Sequence, residues 1–230
     1  MSRLNIPMPR EQLERVVRQI VRQRYAEGLA AGEPQMAIAY EPNLVVNISA
    51  RHMHIAAEDL ATLFGPGAEL TVYRWLYQPG DFAAEQRVAI RGPRGRTIEN
   101  VRILGPVRGY TQVEIAATDA IALGIDAPVR PSGQTDNTPG ALIIGPKGVL
   151  EMPSGVIRAE RHVHMSPADA EAYGFVDGRY VRLQINSDCA MTFDNVLCRV
   201  DPRFLLEVHL DTDEGNACDL VNATSVELQA

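Results

Sequence analysis

The sequence predicts a mainly β protein with short helices, built as two related β domains behind an N-terminal amphipathic helix. Three observations carry this. Beyond residue 44 the chain is a series of short alternating or apolar runs broken by Gly and Pro. The segment 51–65, RHMHIAAEDLATLFG, returns as 161–175, RHVHMSPADAEAYGF, at a constant offset of 110 residues. Before both lies a stretch with helical rather than strand periodicity.

That stretch is residues 10–25. Leu13, Val16, Val17, Ile20 and Val21 form an apolar stripe, with Arg15, Arg18, Arg22 and Arg24 on the other face. The Gly- and Pro-containing EGLAAGEPQ follows as a linker, so residues 1–43 are read as helix plus linker. A short amphipathic helix cannot bury its stripe alone. It packs on its own domain, docks on another chain, or lies on a membrane surface, the last being the weaker reading because such helices usually carry bulkier aromatic anchors.

The first β domain is expected over 44–130, with strands at 44–49, 69–76, 87–92, 101–105 and 112–116 and a helix at Thr118–Leu123 closed by Gly124. The turn-rich VRPSGQTDNTPG, 129–140, marks the candidate boundary. The second domain, 131–230, is expected to share strands with the first. Its strands are read at 141–145, 156–159, 179–185 and 204–210, with CAMTF and VLCRV a pair joined through Asp194-Asn195. A helix starts at Ser166, with Pro167 suited to its first position, and another at Thr212. Such strand spacing suits compact barrels or sandwiches.

Composition narrows the function. The chain has 230 residues, 46% hydrophobic and 22% charged, as in ordinary globular domains. No apolar run reaches the ~18 residues of a membrane span, and no secretory signal is read. A net charge of −7 argues against broad nucleic-acid binding. Three cysteines without a CxxC pair exclude a disulfide framework and a cysteine-rich zinc knuckle, and point to a reducing, cytoplasmic setting.

The histidines are the informative residues. Of five, four form two His-x-His pairs, His52 with His54 and His162 with His164. On a strand, alternate side chains share a face, so each pair can converge on one divalent metal ion. His209, near the end of the apolar FLLEVHL, can complete a set with His162 and His164. The first pair needs a carboxylate: Glu114 in the apolar QVEIA is the candidate, with Glu58 as rival, although the second copy of the repeat has Ala168 there. Buried hydrogen-bonded histidines or a structural metal would be the bland alternative, but structural zinc sites are usually cysteine-rich and closed. Arg108, in GPVRGYTQVE just before Glu114, suits an anion held beside the metal. The basic loop RGPRGR, 91–96, is either a polyphosphate contact or a solvated hairpin tip.

RHMH, GPVRGYTQVEI, RHVHMSPADA and EVHLDTDEGNA, in this order, resemble the phosphate propanoyltransferase family, the PduL-type phosphotransacylases, over about residues 44–222. The resemblance implies two β-barrel domains with two zinc ions between them. One ion would be held by His52, His54 and Glu114, the other by His162, His164 and His209, with Arg108 on phosphate. It implies interconversion of acyl-CoA plus phosphate, propanoyl or another short chain, with acyl phosphate plus coenzyme A. With no Gly-x-Ser-x-Gly elbow and no cysteine in these motifs, direct attack by metal-bound phosphate is favoured over an acyl-enzyme. It further implies location in a bacterial microcompartment, with residues 10–25 contacting shell or cargo proteins. The apolar stripe also makes a homo-oligomer the expectation. The family's commoner helix start, DEANA, is DEGNA here, with Gly215. Two rivals stand beside this reading: a dinuclear hydrolase or cupin-like enzyme, although Asn47 stands where a cupin glycine is expected, and a non-enzymatic, metal-stabilised shell adaptor.

Overall fold

The computed structural model describes residues 40–230, so the helix read at 10–25 and its linker lie outside the described residues. The chain runs β1 (Val45–Ser49), β2 (His52–His54), α1 (Ala57–Phe64), β3 (Val72–Trp75), β4 (Phe82–Arg91), β5 (Thr97–Gly105), β6 (Gln112–Glu114) and α2 (Ala117–Leu123). It continues β7 (Val129–Arg130), β8 (Ala141–Ile144), β9 (Val149–Met152), β10 (Val156–Ala159), β11 (His162–Met165) and α3 (Pro167–Tyr173). The last elements are β12 (Tyr180–Asn186), β13 (Met191–Val200), β14 (Glu207–Asp211), α4 (Thr212–Ala217), a 3-10 turn at Leu220–Asn222 and β15 (Ser225–Gln229). The architecture is mainly β, two curled half-barrel sheets with four short helices. Among the described residues no helix is long and apolar enough to cross a membrane.

The nine-stranded sheet has the order β7-β10-β6-β2-β5-β4-β8-β9, with β3 on β4, and the six-stranded sheet runs β1-β14-β11-β13-β12-β15. Each has its own core. Met53, Ile55, Leu63, Ile90, Ile103 and Ile143 are among the residues filling the first, and Val163, Met165, Leu183, Ile185 and Val208 are among those filling the second.

The repeat is deeper than the 15 residues visible in the sequence. In both sheets a His-x-His strand has an antiparallel neighbour on one side (β6 or β14) and a parallel neighbour on the other (β5 or β13). Both parallel neighbours carry a bulge ending in an asparagine of positive φ, Asn100 at 60° and Asn195 at 58°. Asn tolerates that conformation better than most residues. Asp194-Asn195 therefore bulges one continuous strand, β13, opposite Arg182, and is not the turn between two strands read from the sequence.

The strands preceding the histidine pairs are exchanged. β1 pairs in parallel with β14 of the second sheet, while β10, 110 residues on, pairs in parallel with β6 of the first. The division expected at 130/131 lies inside the nine-stranded sheet instead, since β7 to β10 all belong to it. The turn-rich 129–140 segment is a tied loop: the Gln112 amide donates to Ser132 Oγ at 2.9 Å, and Gly133 N donates to Gln112 Oε1 at 2.8 Å. Turn composition reports a change of chain direction, and a domain boundary needs in addition a lack of such ties.

The RGPRGR loop is the β4–β5 hairpin turn, closed by Gly95 N donating to Gly92 O at 2.9 Å. Gly92 packs so closely on α2 that an added Cβ would lie 2.1 Å from the Leu123 carbonyl oxygen. Both groups are backbone and neither can yield alone. Gly92→Ala is therefore expected to cost about 1–3 kcal/mol and to lower the melting temperature by about 3–9 °C, read by calorimetry. An unchanged melting temperature would mean that the hairpin does not rest on α2.

Candidate metal centre

Each proposed ligand strand alternates an inward apolar side chain with outward polar ones. Met53 separates His52 from His54, Val113 separates Gln112 from Glu114, Val163 separates His162 from His164, and Val208 separates Glu207 from His209. All four separators are fully buried. Strand period two then sends every flanking polar side chain to the opposite face.

Antiparallel pairing of β2 with β6 sets His52 opposite Glu114. The His52 and His54 Nε2 atoms are 3.3 Å apart. Glu114 Oε2 is 3.4 Å from His52 Nε2, and Oε1 is 3.6 Å from His54 Nε2. Ligands at about 2.0–2.1 Å from a tetrahedral ion are about 3.3 Å from one another, so these separations are those of a donor set. His52 Nδ1 donates to the Ala50 carbonyl at 2.8 Å, which leaves Nε2 as the free lone pair. Glu114 Oε1 accepts from Gln112 Nε2 at 2.7 Å and Ser132 Oγ at 2.8 Å. Burial pushes the Glu114 carboxyl up, but the charge of His52 and the hydrogen bonds from His54 and Ser132 outweigh it. The group is held well below the usual carboxylate range. Glu58, the rival, is exposed on α1.

The second group repeats the arrangement with β11 and β14, where His162 faces His209 across the ladder. The ring centroids of His162, His164 and His209 are 4.8, 4.9 and 5.0 Å apart pairwise. His162 Nδ1 donates to the Glu160 carbonyl at 2.8 Å, the counterpart of His52 and Ala50. Phe204 stacks on His164 at 4.2 Å.

Both groups fit divalent metal ions. Within each, one donor atom per residue lies within 4.8 Å of the others. His54 Nδ1, His164 Nδ1 and His209 Nε2 are buried without an aligned hydrogen-bond partner among the described residues. Burial lowers His54 to about 4 against the pull of Glu114. Burial and the charge of His209 lower His162 to about 3, and burial with the charges of His162 and His209 lowers His164 to about 2. These imidazoles are thus neutral at pH 7, the form that ligates metal. Imidazole and carboxylate donors without thiolate suit zinc and its neighbours. Cys198 and Cys218 are buried elsewhere, and burial raises the thiol of Cys198 to about 11.

Glu114 of the first group and His162 and His209 of the second line one small cleft, together with Ser49 and Glu160. The exchanged strands β1 and β10 end at this cleft, which explains why both sheets contribute to it. Arg108 is half-buried and anchored beside His54: its backbone N donates to Ile55 O at 2.9 Å. Its guanidinium donates to the Tyr110 hydroxyl at 3.1 Å. Its charge bears on both His54 and His164, one from each group.

Sequence reasoning missed the device that holds the ligands. His54, Glu114, His164 and His209 each precede the first residue of a helix by three positions, and an acidic residue stands at the third helical position every time: Asp59, Asp119, Asp169 and Glu214. The signal was present as four copies of ligand-x4-acid: HIAAED, EIAATD, HMSPAD and HLDTDE. The arginine before each histidine pair grips the acid of the second helix of its own half, not of the helix that follows the pair directly. Arg51 reaches Asp119 in two contacts, at 2.9 and 2.8 Å, and Arg161 reaches Glu214 at 2.8 Å. These pairs tie the start of each His-x-His strand to the helix that follows the third ligand.

Two histidine-rich donor sets on a β fold, with an arginine whose charge bears on both, make a candidate metal centre. The sequence pattern of the phosphate propanoyltransferase family matches residues 45–221, and the chain belongs to that family, whose members are acyltransferases. It is 51% identical to the phosphate propanoyltransferase of Planctopirus limnophila over 95% of this chain and 91% of that protein. It is 54% identical to the one of Thermotoga maritima, over 78% and 86% of the two chains. It is 47% identical to the one of Salmonella typhimurium, over 77% and 84%. Phosphate acyltransferase activity is what this membership supports.

Arg51→Ala is expected to destabilise the fold by about 1 kcal/mol, the low end for a charged hydrogen bond because Arg51 is 43% exposed. The check is a shifted urea midpoint with an unchanged slope. No shift would mean that the arginine does not hold α2.

Proposed function

We propose that this chain interconverts acyl-CoA plus phosphate with acyl phosphate plus coenzyme A, with propanoyl or another short chain as the acyl group. The observation that carries the reading is the pair of three-residue donor sets, His52, His54 and Glu114 beside His162, His164 and His209, with Arg108 close enough for its charge to bear on one histidine of each. Phosphate is a dianion near neutral pH, and a guanidinium fork matches two of its oxygens.

In this reading Arg108 holds phosphate with one oxygen free to attack the thioester carbonyl carbon. The C–O bond forms, the C–S bond breaks, and coenzyme A leaves as a thiolate. Bound divalent ions, zinc by the donor chemistry, would supply positive charge to gather phosphate and to stabilise the developing oxyanion. Glu114 and the neutral histidines are the groups that would hold them. Neither buried cysteine belongs to the two donor sets, which supports transfer without an acyl-enzyme. The tie from Arg108 N to Ile55 sets the arginine at a fixed height beside the first donor set.

Coenzyme A release followed with a thiol reagent tests the reaction. Release that depends on phosphate supports transfer, release without phosphate indicates a hydrolase, and none from a metal-loaded chain indicates an adaptor. Metal analysis of protein prepared without chelator is expected to give two divalent ions per chain. His164→Ala should leave one ion and little activity in a folded protein, seen by circular dichroism. Arg108→Lys keeps the charge but loses the fork, so the KM for phosphate should rise at least tenfold with little change in that for acyl-CoA. Equal shifts in both constants would remove Arg108 from the phosphate.

We further propose that residues 10–25 dock the enzyme within a protein shell, or on a second copy, through their apolar stripe. The stripe supports this because burial gains about 25 cal/mol per Å² of apolar surface. Deleting residues 1–26 should leave kcat near its original value and change the association state on size-exclusion chromatography. A large fall in melting temperature with unchanged association would instead place the helix on its own domain.

A further inference from the structure

One buried acid beside the second donor set has no part in the reaction as described. Glu207 is 3% exposed, and it lies two residues before His209 on β14, directly opposite His164 in the ladder. Its Oε2 is 3.2 Å from His209 Nε2, a nitrogen with no aligned hydrogen-bond partner among the described residues. The carboxylate is itself held from two directions. Asn47 of β1 donates to Oε1 at 2.7 Å, and Gln78, from the loop between β3 and β4, donates to Oε2 at 2.7 Å. Gln78 is fixed in turn by both backbone groups of Leu205, donating to its O at 2.9 Å and accepting from its N at 3.1 Å.

The counterpart of Glu207 in the first half is Gln112. It lies two residues before Glu114, faces His54 across the ladder, and donates to Glu114 Oε1 at 2.7 Å. The two halves thus carry the same pair of positions with carboxylate and neutral group exchanged. In the first, the ligand position is the acid and its neighbour is an amide. In the second, the ligand position is an imidazole and its neighbour is the acid. Each donor set plus its neighbour has one negative charge. Three neutral imidazoles alone would leave both charges of a divalent ion uncompensated in a buried place, where an isolated charge is costly.

We propose that Glu207 is a positioning residue of the second donor set, a carboxylate that fixes the His209 ring and supplies the negative charge which three imidazoles lack. This rests on the two-ion reading. Carboxylates that orient a metal-binding imidazole commonly change metal affinity about 10–100-fold when removed. Glu207 binds no substrate in this account and acts only through His209.

The test titrates the metal-free full-length chain with Co²⁺, followed by its visible spectrum, and with Zn²⁺ in competition with a chromophoric chelator. The unaltered chain should take up two ions. Glu207→Gln should weaken one of them about 10–100-fold and change its Co²⁺ spectrum, while the other keeps its affinity. Glu207→Asp should weaken the same ion less, and Gln112→Ala should weaken the opposite one. If Glu207→Gln does not fold, the comparison rests on Glu207→Asp, whose shorter arm withdraws the carboxylate from His209. Two ions bound with unchanged affinity and spectrum in the folded Glu207 variants overturn the proposal alone. Equal weakening of both ions together with a lowered melting temperature also overturns it, by showing a general structural role. An unaltered chain that binds fewer than two ions overturns the two-ion reading, and the proposal with it.

Discussion

The site depends on the strict alternation of strand side chains. Met53, Val113, Val163 and Val208 are each sealed in a core, and each lies between two polar residues that would otherwise have no reason to share a direction. A slip of one residue would bring a histidine into hydrocarbon and turn an apolar side chain toward the cleft. That cost, several kcal/mol for a buried unpaired polar group, pins the register of four strands. The donor distances of the first set, 3.3 to 3.6 Å, follow from that register together with the pairing of β2 and β6.

The second constraint is the exchange of β1 and β10. Each half lends the other the strand that leads into its own histidine pair, so neither sheet is complete without chain from the other half. The crossing occurs immediately before His52 and His162, and both crossings border the cleft. The two halves are therefore coupled where the ligands are presented. The arginine-to-helix ties, Arg51 with Asp119 and Arg161 with Glu214, secure the same junctions from the helix side.

Electrostatics complete the arrangement. Burial keeps His54, His162 and His164 neutral, hydrogen bonds from His52 and His162 to backbone carbonyls select their free nitrogen, and the carboxylate of Glu114 stays ionised despite its burial. Arg108 lies beside the first group, and its charge bears on His54 and on His164, while that of Arg199 bears on His162 and His164.

Local features of the protein were legible in its sequence. Ser166 and Pro167 start a helix by capping chemistry, and the structure has Ser166 accepting from Asp169 N; Gly124, read as closing the earlier helix, is left-handed there. The direction shared by His52 and His54, and by His162 and His164, is a property of any strand. The segment 129–140 was misread as a boundary and Asp194-Asn195 as a turn, because composition reports local conformation and not the partner strand. Which carboxylate meets the first pair, which sheet receives β1, and the reach of Gln78 to Glu207 were decided by the tertiary structure alone. These contacts join residues 62, 162 and 129 positions apart, from His52 to Glu114, from Val45 to Glu207 and from Gln78 to Glu207. No local preference encodes such pairings. They emerge when both sheets close at once and every buried polar group must find its partner.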